Sequence, residues 1–104
     1  MFDHIALTET TYYILLSLYR PLHGYGIMQR ALALSNGRVR LAAGTLYGAL
    51  NALVEKDWIA LLPGEGRKKA YRLTPKGQEV LKKELERLRQ LVANGEQILR
   101  EELQ

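Results

Sequence analysis

The sequence predicts a mainly α-helical chain with one small β-hairpin past its middle and a long helix at its end. Three observations carry that expectation. Apolar residues recur at helical spacing through Leu7–Arg20, Tyr25–Leu34 and the stretch from Ala42 to Glu55. Two short runs of period two, Trp58–Leu62 and Ala70–Thr74, then flank a turn-rich loop. Beyond them an apolar stripe runs from Val80 to Leu103.

The first helix reads as Leu7 to Arg20, with Thr8 as N-cap, Glu9 in the first turn and Arg20 in the last. Tyr12, Ile14, Leu15, Leu16, Leu18 and Tyr19 wrap most of its circumference, so it belongs in the core or between subunits. Pro21 stops it, and His23-Gly24-Tyr25-Gly26 makes a tight connection. The second helix, Tyr25 to Leu34, turns Ile27, Met28, Ala31 and Leu34 inward. Ser35-Asn36-Gly37 ends it, with Asn36 or Gly37 able to take the left-handed conformation that closes a helix. Arg38 to Leu41 alternates polar and apolar, which suits a very short strand with Val39 and Leu41 facing in.

The stretch from Ala42 to Ile59 reads as a helix running directly into a strand. Leu46, Leu50, Leu53 and Val54 stack on one buried face. The opposite side holds Gly44, Thr45, Gly48, Asn51, Ala52 and Glu55, with Tyr47 on the flank. Over its first two turns that outward face is small and uncharged, where a solvated helix would carry Lys and Glu. Two readings fit. Small residues let a helix slide into a DNA major groove, where Thr45, Tyr47 and Asn51 reach base edges and phosphates. They also let a helix pack closely against another helix.

In the hairpin, Tyr71 and Leu73 share one face and Arg72 takes the other. The loop from Pro63 to Lys69 brings Arg67, Lys68 and Lys69 together, and like charges repel. Beside a reading helix they become a wing that grips phosphates; otherwise they are a solvated charge run. Helix, helix, small-faced helix and basic hairpin in that order form a winged helix-turn-helix, residues 1–74.

Residues 75–104 form the C-terminal helical segment, opened by Thr74 as N-cap and Pro75 at the first helical position. Leu85, Leu88, Val92 and Leu99 fall on a/d positions of a heptad frame, with Gly95 and Glu102 at the other d positions. One long helix at the end of a small domain cannot bury such a stripe against its own body. A second copy of the chain is the natural cover, with Leu81, Leu85, Leu88, Val92 and Leu99 as the dimerisation residues. Asn94-Gly95 is the one place where that helix invites a break.

Composition narrows the function classes. At 104 residues and 47% hydrophobic content the chain supports one globular core. No apolar run approaches the ~18 residues of a membrane span, and the start carries no recognisable signal peptide. The absence of cysteine removes disulfides and thiolate chemistry and fits a cytoplasmic location. The net charge of +4 lies entirely in Met1–Thr74, where 9 Lys/Arg face 5 Asp/Glu; from Pro75 onward 6 face 6. His4 and His23 have no partners at ligand spacing, so no metal or other cofactor is expected, and nothing in the chain suggests an enzyme.

The runs TYYILLSLYRPLHGYGIMQ, NGRVRLAAGTLYGALNALVEKDWI and RKKAYRLTPKGQEVL resemble the PadR family of bacterial transcriptional regulators. The resemblance covers roughly residues 7–91, and the combination of HGYGI with GTLYGAL is specific. The short C-terminal part is similar to the small members, which dimerise through a terminal helix. The resemblance implies a homodimeric repressor on an inverted-repeat operator, relieved by a small aromatic or hydrophobic effector near the dimer interface. It places Thr45 and Tyr47 at the DNA-facing start of the third helix, with Asn51 one turn on. The wing corresponds to Gly64–Lys69. Some small members stack a planar drug between tryptophans of the C-terminal helices. Here the only tryptophan, Trp58, begins the first hairpin strand, which leaves Tyr12, Tyr13 and Tyr19, or Leu88 and Val92, as effector walls.

Expected contacts to double-stranded DNA are therefore Thr45, Tyr47, Gly48 and Asn51 at or near bases, with Arg38, Arg40, Arg67, Lys68 and Lys69 on phosphates. Two rivals remain open at this stage: a winged helix serving as a protein–protein module without DNA, and an architectural DNA binder without sequence preference.

Overall fold

The computed structural model describes residues 6–64 and 69–103. Within them the order is α1 (Glu9–Ser17), β1 (Leu22–His23), α2 (Gly24–Leu34), α3 (Ala43–Glu55), β2 (Ile59–Leu61), β3 (Ala70–Leu73) and α4 (Pro75–Glu102). The chain is mainly α with a small antiparallel sheet, the expected class.

The helix ends have local causes. Thr8 is extended, and its hydroxyl accepts the Thr11 N–H at 3.1 Å to open α1. That helix stops at Ser17, three residues short of the expected Arg20, because the chain there turns to meet the sheet. The Leu18 carbonyl accepts the Leu73 N–H at 3.0 Å. At the end of α2 both Asn36 (φ 52°) and Gly37 (φ 86°) are left-handed, and the Gly37 N–H reaches back to the Leu32 carbonyl at 2.8 Å. Asp57 (φ 62°) closes α3 in the same way, with the Trp58 N–H on the Leu53 carbonyl at 3.1 Å.

Arg38–Leu41 is not the short strand expected. Val39 is buried there, but its N–H is satisfied by the Ser35 hydroxyl at 2.9 Å and by no neighbouring strand. The third strand is β1, expected only as part of a tight connection. It pairs antiparallel with β3 through Leu22–Tyr71 and His23–Ala70, while β2 pairs with the other edge through Ile59–Leu73, Ala60–Arg72 and Leu61–Tyr71. The order is β1-β3-β2, so the expected hairpin is two strands of a three-stranded sheet. Tyr71 and Leu73 face the core and Arg72 faces out, as their alternation requires.

One core joins the elements: Ile14 and Leu15 from α1, Ile27 from α2, Leu46, Leu50 and Leu53 from α3, Ile59 and Leu73 from the sheet, and Leu81 from α4. Leu34 and Val54, expected inward, are exposed. Each sits in the last turn of its helix, where the axis is already leaving the core.

α4 is anchored by one side chain. The Thr74 hydroxyl accepts the Gly77 N–H at 3.0 Å and donates to the Asp57 carbonyl at 2.6 Å, tying the start of α4 to the turn after α3. Pro75 occupies the first turn. The helix then runs 28 residues without interruption through Asn94-Gly95, where Gln90 donates to the Asn94 side chain at 3.2 Å across one turn. At ~1.5 Å per residue that is about 42 Å of helix, and its buried residues are Gly77, Leu81 and Glu84, all near its beginning.

Candidate nucleic-acid interface

The outward face of α3 is open. Gly44, Thr45, Gly48 and Asn51 are exposed, and a Cβ built on Gly44 or Gly48 meets nothing within 4 Å. Close packing against another helix of the same protomer therefore does not explain these glycines. Two others show what a packing glycine looks like. A Cβ at Gly24 would run into the hydroxyl and ring of Tyr47, and one at Gly77 into the Trp58 carbonyl.

Tyr47 does not point straight out. It is 43% exposed and lies across the first residue of α2. It is also close enough to Tyr71 to act on its phenol, which burial first, and Tyr47 second, push above its ordinary value. The start of α2 and the flank of α3 are thus held together by an aromatic contact. Beside that contact stands Tyr25, 68% exposed and flanked by two glycines. It is absent from the expected contacts, although an exposed aromatic at the start of the helix preceding a small-faced one was a readable signal.

Among the cations, Arg40 and Lys69 are exposed. Arg38 is paired with Glu9 at the start of α1, 3.0 Å apart, with 71% and 46% of the two side chains accessible. Such an exposed pair is held weakly. Arg67 and Lys68 lie outside the described residues.

On α4, Val92 and Leu99 are 58% and 66% exposed and Leu85 is 40% exposed, while Leu88 is half-buried. Leu81 departs from the expected dimerisation stripe. It is buried in the protomer's own core, because the opening turns of α4 are the ones that cross the body of the fold. The three tyrosines expected as effector walls do not meet. Tyr12 and Tyr13 form an edge-to-face pair with ring centres 5.7 Å apart, whereas Tyr19 is exposed beside Leu22 and Arg30.

The beginning of α4 also holds a buried carboxylate. Glu84 accepts two hydrogen bonds from Arg87, at 2.7 and 2.8 Å, and one from the Leu7 N–H at 3.1 Å. This pins the residues preceding α1 to α4. Among the described residues no group of three or more His, Cys, Asp or Glu comes together to hold a metal, and no helix is long and apolar enough to cross a membrane.

Known proteins share this arrangement. A crystal structure of a PadR family transcription regulator from hypervirulent Clostridium difficile R20291 superposes with a TM-score of 0.74 at 24% identity, covering 88% of this chain and 99% of that one. At that identity it speaks for the fold. Bacillus subtilis PadR, solved in complex with operator DNA, gives a TM-score of 0.61 at 26% identity over 72% of this chain and 45% of that one. In sequence, 64 residues are 44% identical to an uncharacterized 37.1 kDa protein in transposon TN4556 of Streptomyces fradiae, 62% of this chain but only 18% of that protein's length. Residues 13–83 match the profile of the transcriptional regulator PadR-like family. That match spans well over half of the sequence, and the chain belongs to the PadR-like family of transcriptional regulators.

Proposed function

We propose that this chain is a sequence-specific DNA-binding regulator, a homodimeric repressor of an inverted-repeat operator that a small hydrophobic or aromatic effector releases. The observation that carries the reading is the open, small face of α3. Gly44 and Gly48 face empty space next to Thr45 and Asn51, which leaves room for a groove wall to approach the helix backbone. The complex of Bacillus subtilis PadR with operator DNA supports the same use of the fold.

In this reading Thr45, Tyr47 and Asn51 make base or near-base contacts. Arg40, Lys69 and the neighbouring Arg67 and Lys68 supply phosphate contacts, joined by Arg38 when it leaves Glu9. Residues 1–74 are the DNA-binding unit and residues 75–104 the dimerisation segment. Two copies joined along Leu85, Leu88, Val92 and Leu99 would set their reading helices about 34 Å apart, or a multiple of it. Tyr12 and Tyr13, with Leu88 and Val92, are the walls offered to an effector.

The test is fluorescence anisotropy with two labelled duplexes at low and physiological salt, one carrying DNA upstream of this protein's gene and the other a scrambled version. Tight, salt-sensitive binding to the first and much weaker binding to the second is the expected result. Equal binding to both would favour an architectural role, and no binding to either would favour a protein–protein module.

A further inference from the structure

We infer that Glu84 is the positioning residue that fixes the direction of α4 against the body of the protomer, and so sets which half-site spacing the dimer accepts. The inference rests on the operator-binding homodimer proposed above and names the residue that determines its geometry. The buried residues of α4 are Gly77, Leu81 and Glu84, and from Arg89 to Leu103 every residue is exposed. Gly77 and the Thr74 cap anchor the start of the helix to the turn after α3, and Glu84 is the last buried point along it. The helix is therefore a lever. At ~1.5 Å per residue, Glu84 stands about 15 Å along it from Thr74, and Leu99 of the proposed dimer stripe about 38 Å. A shift of ~1 Å at Glu84 grows to about 2.5 Å at Leu99, most of the ~3.4 Å rise of one base pair.

Packing alone does not explain a carboxylate at this point. Glu84 is 1% exposed, and a leucine would fill such a site without the cost of taking a charge out of water. Apolar contact, however, is non-directional and lets a helix roll or slide, whereas hydrogen bonds fix its rotation. Glu84 accepts the Leu7 N–H at 3.1 Å, across to the residues before α1. Arg87, on the same helix, clamps the carboxylate in place with bonds of 2.7 and 2.8 Å. The far end of the link is itself firm. Thr8, next in the chain, is the N-cap of α1, and Glu9 pairs with Arg38 ahead of α3. Tyr12 of α1 is close as well, its phenol pushed above the ordinary value by burial first, then by Tyr13 and Glu84. Residues 7–9 thus join the dimerisation helix to α1 and to the approach of the reading helix by directional bonds.

The chain has no cysteine, so spin labels go in cleanly at Ala33→Cys on α2 and Arg100→Cys on α4, both exposed positions. Double electron–electron resonance on the full-length protein, diluted with unlabelled copies, then reads the direction of α4 without DNA. The native Glu84 should give one narrow distance distribution. Glu84→Leu keeps the site filled but removes the bond to Leu7, and should shift or broaden the distribution by about 3 Å, as the lever requires. The second readout is anisotropy on the duplex from upstream of the gene, with one base pair inserted or deleted between the half-sites. Each base pair also turns the second half-site by about 34°, so the wild type should lose about tenfold per step, whereas Glu84→Leu should bind all three duplexes within about twofold. A merely structural role would instead lower the urea midpoint and weaken the three duplexes alike, which would overturn the inference. Arg87→Ala removes only the bonds that clamp the carboxylate; it should give an intermediate spread, and it carries the test if Glu84→Leu does not fold. A wild-type protein that binds none of the duplexes would overturn the regulator reading and the spacing role together. Label distances unchanged by Glu84→Leu, in a protein that does discriminate spacers, would overturn this inference alone.

Discussion

The Tyr47 ring of α3 lies across Gly24, the first residue of α2, so that a Cβ at Gly24 would collide with its hydroxyl and ring. The obstructing atoms are the far end of a half-exposed side chain, which is free to swing away. Gly24→Ala should therefore cost less than about 1 kcal/mol of stability, in the range of ordinary surface changes, yet displace Tyr47 from the edge of the proposed interface. The expected outcome is a nearly unchanged urea midpoint with weakened operator binding. In a Tyr47→Ala background the same change at Gly24 should have no further effect on affinity. A full additional loss there would mean that Gly24 acts independently of the ring.

Gly77 makes the opposite prediction. A Cβ there would strike the Trp58 carbonyl, which is backbone and fixed by its hydrogen bond from the Thr74 N–H at 3.1 Å. Gly77→Ala must shift α4 relative to the turn after α3, at a cost of about 1–3 kcal/mol or more. The loss should appear as a lower urea midpoint at unchanged slope. Retention of the wild-type midpoint would show that the start of α4 is looser than its geometry indicates.

Much of this architecture was legible in the sequence, for physical reasons that also mark where legibility stopped. The Thr74-Pro75 helix start, the Asn36-Gly37 stop and the Tyr71/Leu73 alternation are set by local chemistry, and each appears as read. β1 was missed because two residues have no period. Its pairing with β3 joins positions about fifty residues apart, and the apparent alternation of Arg38–Leu41 competed with it. Leu81 was assigned to the dimer stripe because a helical period cannot say where along its length a helix leaves its own domain. The small face of α3 was readable, but whether those glycines packed against something needed the surrounding atoms.

Tyrosine burial predicts sensitivity to alkali. Tyr71 and Tyr12 both have phenols pushed above their ordinary value, in each case chiefly by burial, with Tyr47 acting on Tyr71 and Tyr13 and Glu84 on Tyr12. Their stabilising contribution is complete below the unfolded phenol value of about 10. Above it the unfolded chain ionises first and binds fewer protons, so stability falls as pH rises toward the folded values. Tyr71→Phe and Tyr12→Phe should each flatten the decline of the urea midpoint between about pH 9.5 and 11. An identical decline in both variants would assign it to other groups.

The exposed stripe on α4 separates two classes of leucine. Val92→Glu and Leu99→Glu alter residues that make little use of their own protomer, so each should convert a dimer to a monomer while the unfolding of residues before Thr74 is preserved. Leu81→Ala empties a core site instead and should cost about 2–5 kcal/mol with the dimer still forming at high concentration. Sedimentation velocity and chemical denaturation read the two effects separately. A wild-type protein that sediments as a monomer at every concentration would remove the dimer from the proposed mechanism.

Gly48 sets stability against function at one position. It sits in the interior of α3 with nothing within 4 Å of a Cβ, so the residue carries the helix penalty of glycine without any packing reason for it. Gly48→Ala should raise the stability of the free protein by up to about 1 kcal/mol, seen as a higher urea midpoint. Gly48→Leu should keep most of that gain, because leucine is nearly as good a helix former and meets no neighbour. If the face enters a groove, the larger side chain stands between α3 and the DNA, and operator affinity should fall sharply for the leucine variant and less for the alanine one. A stabilised leucine variant that binds the operator as well as the wild type would show that some other surface meets DNA. A variant that gains stability and loses binding would place the reason for this glycine outside the fold of the protomer, in what the helix approaches.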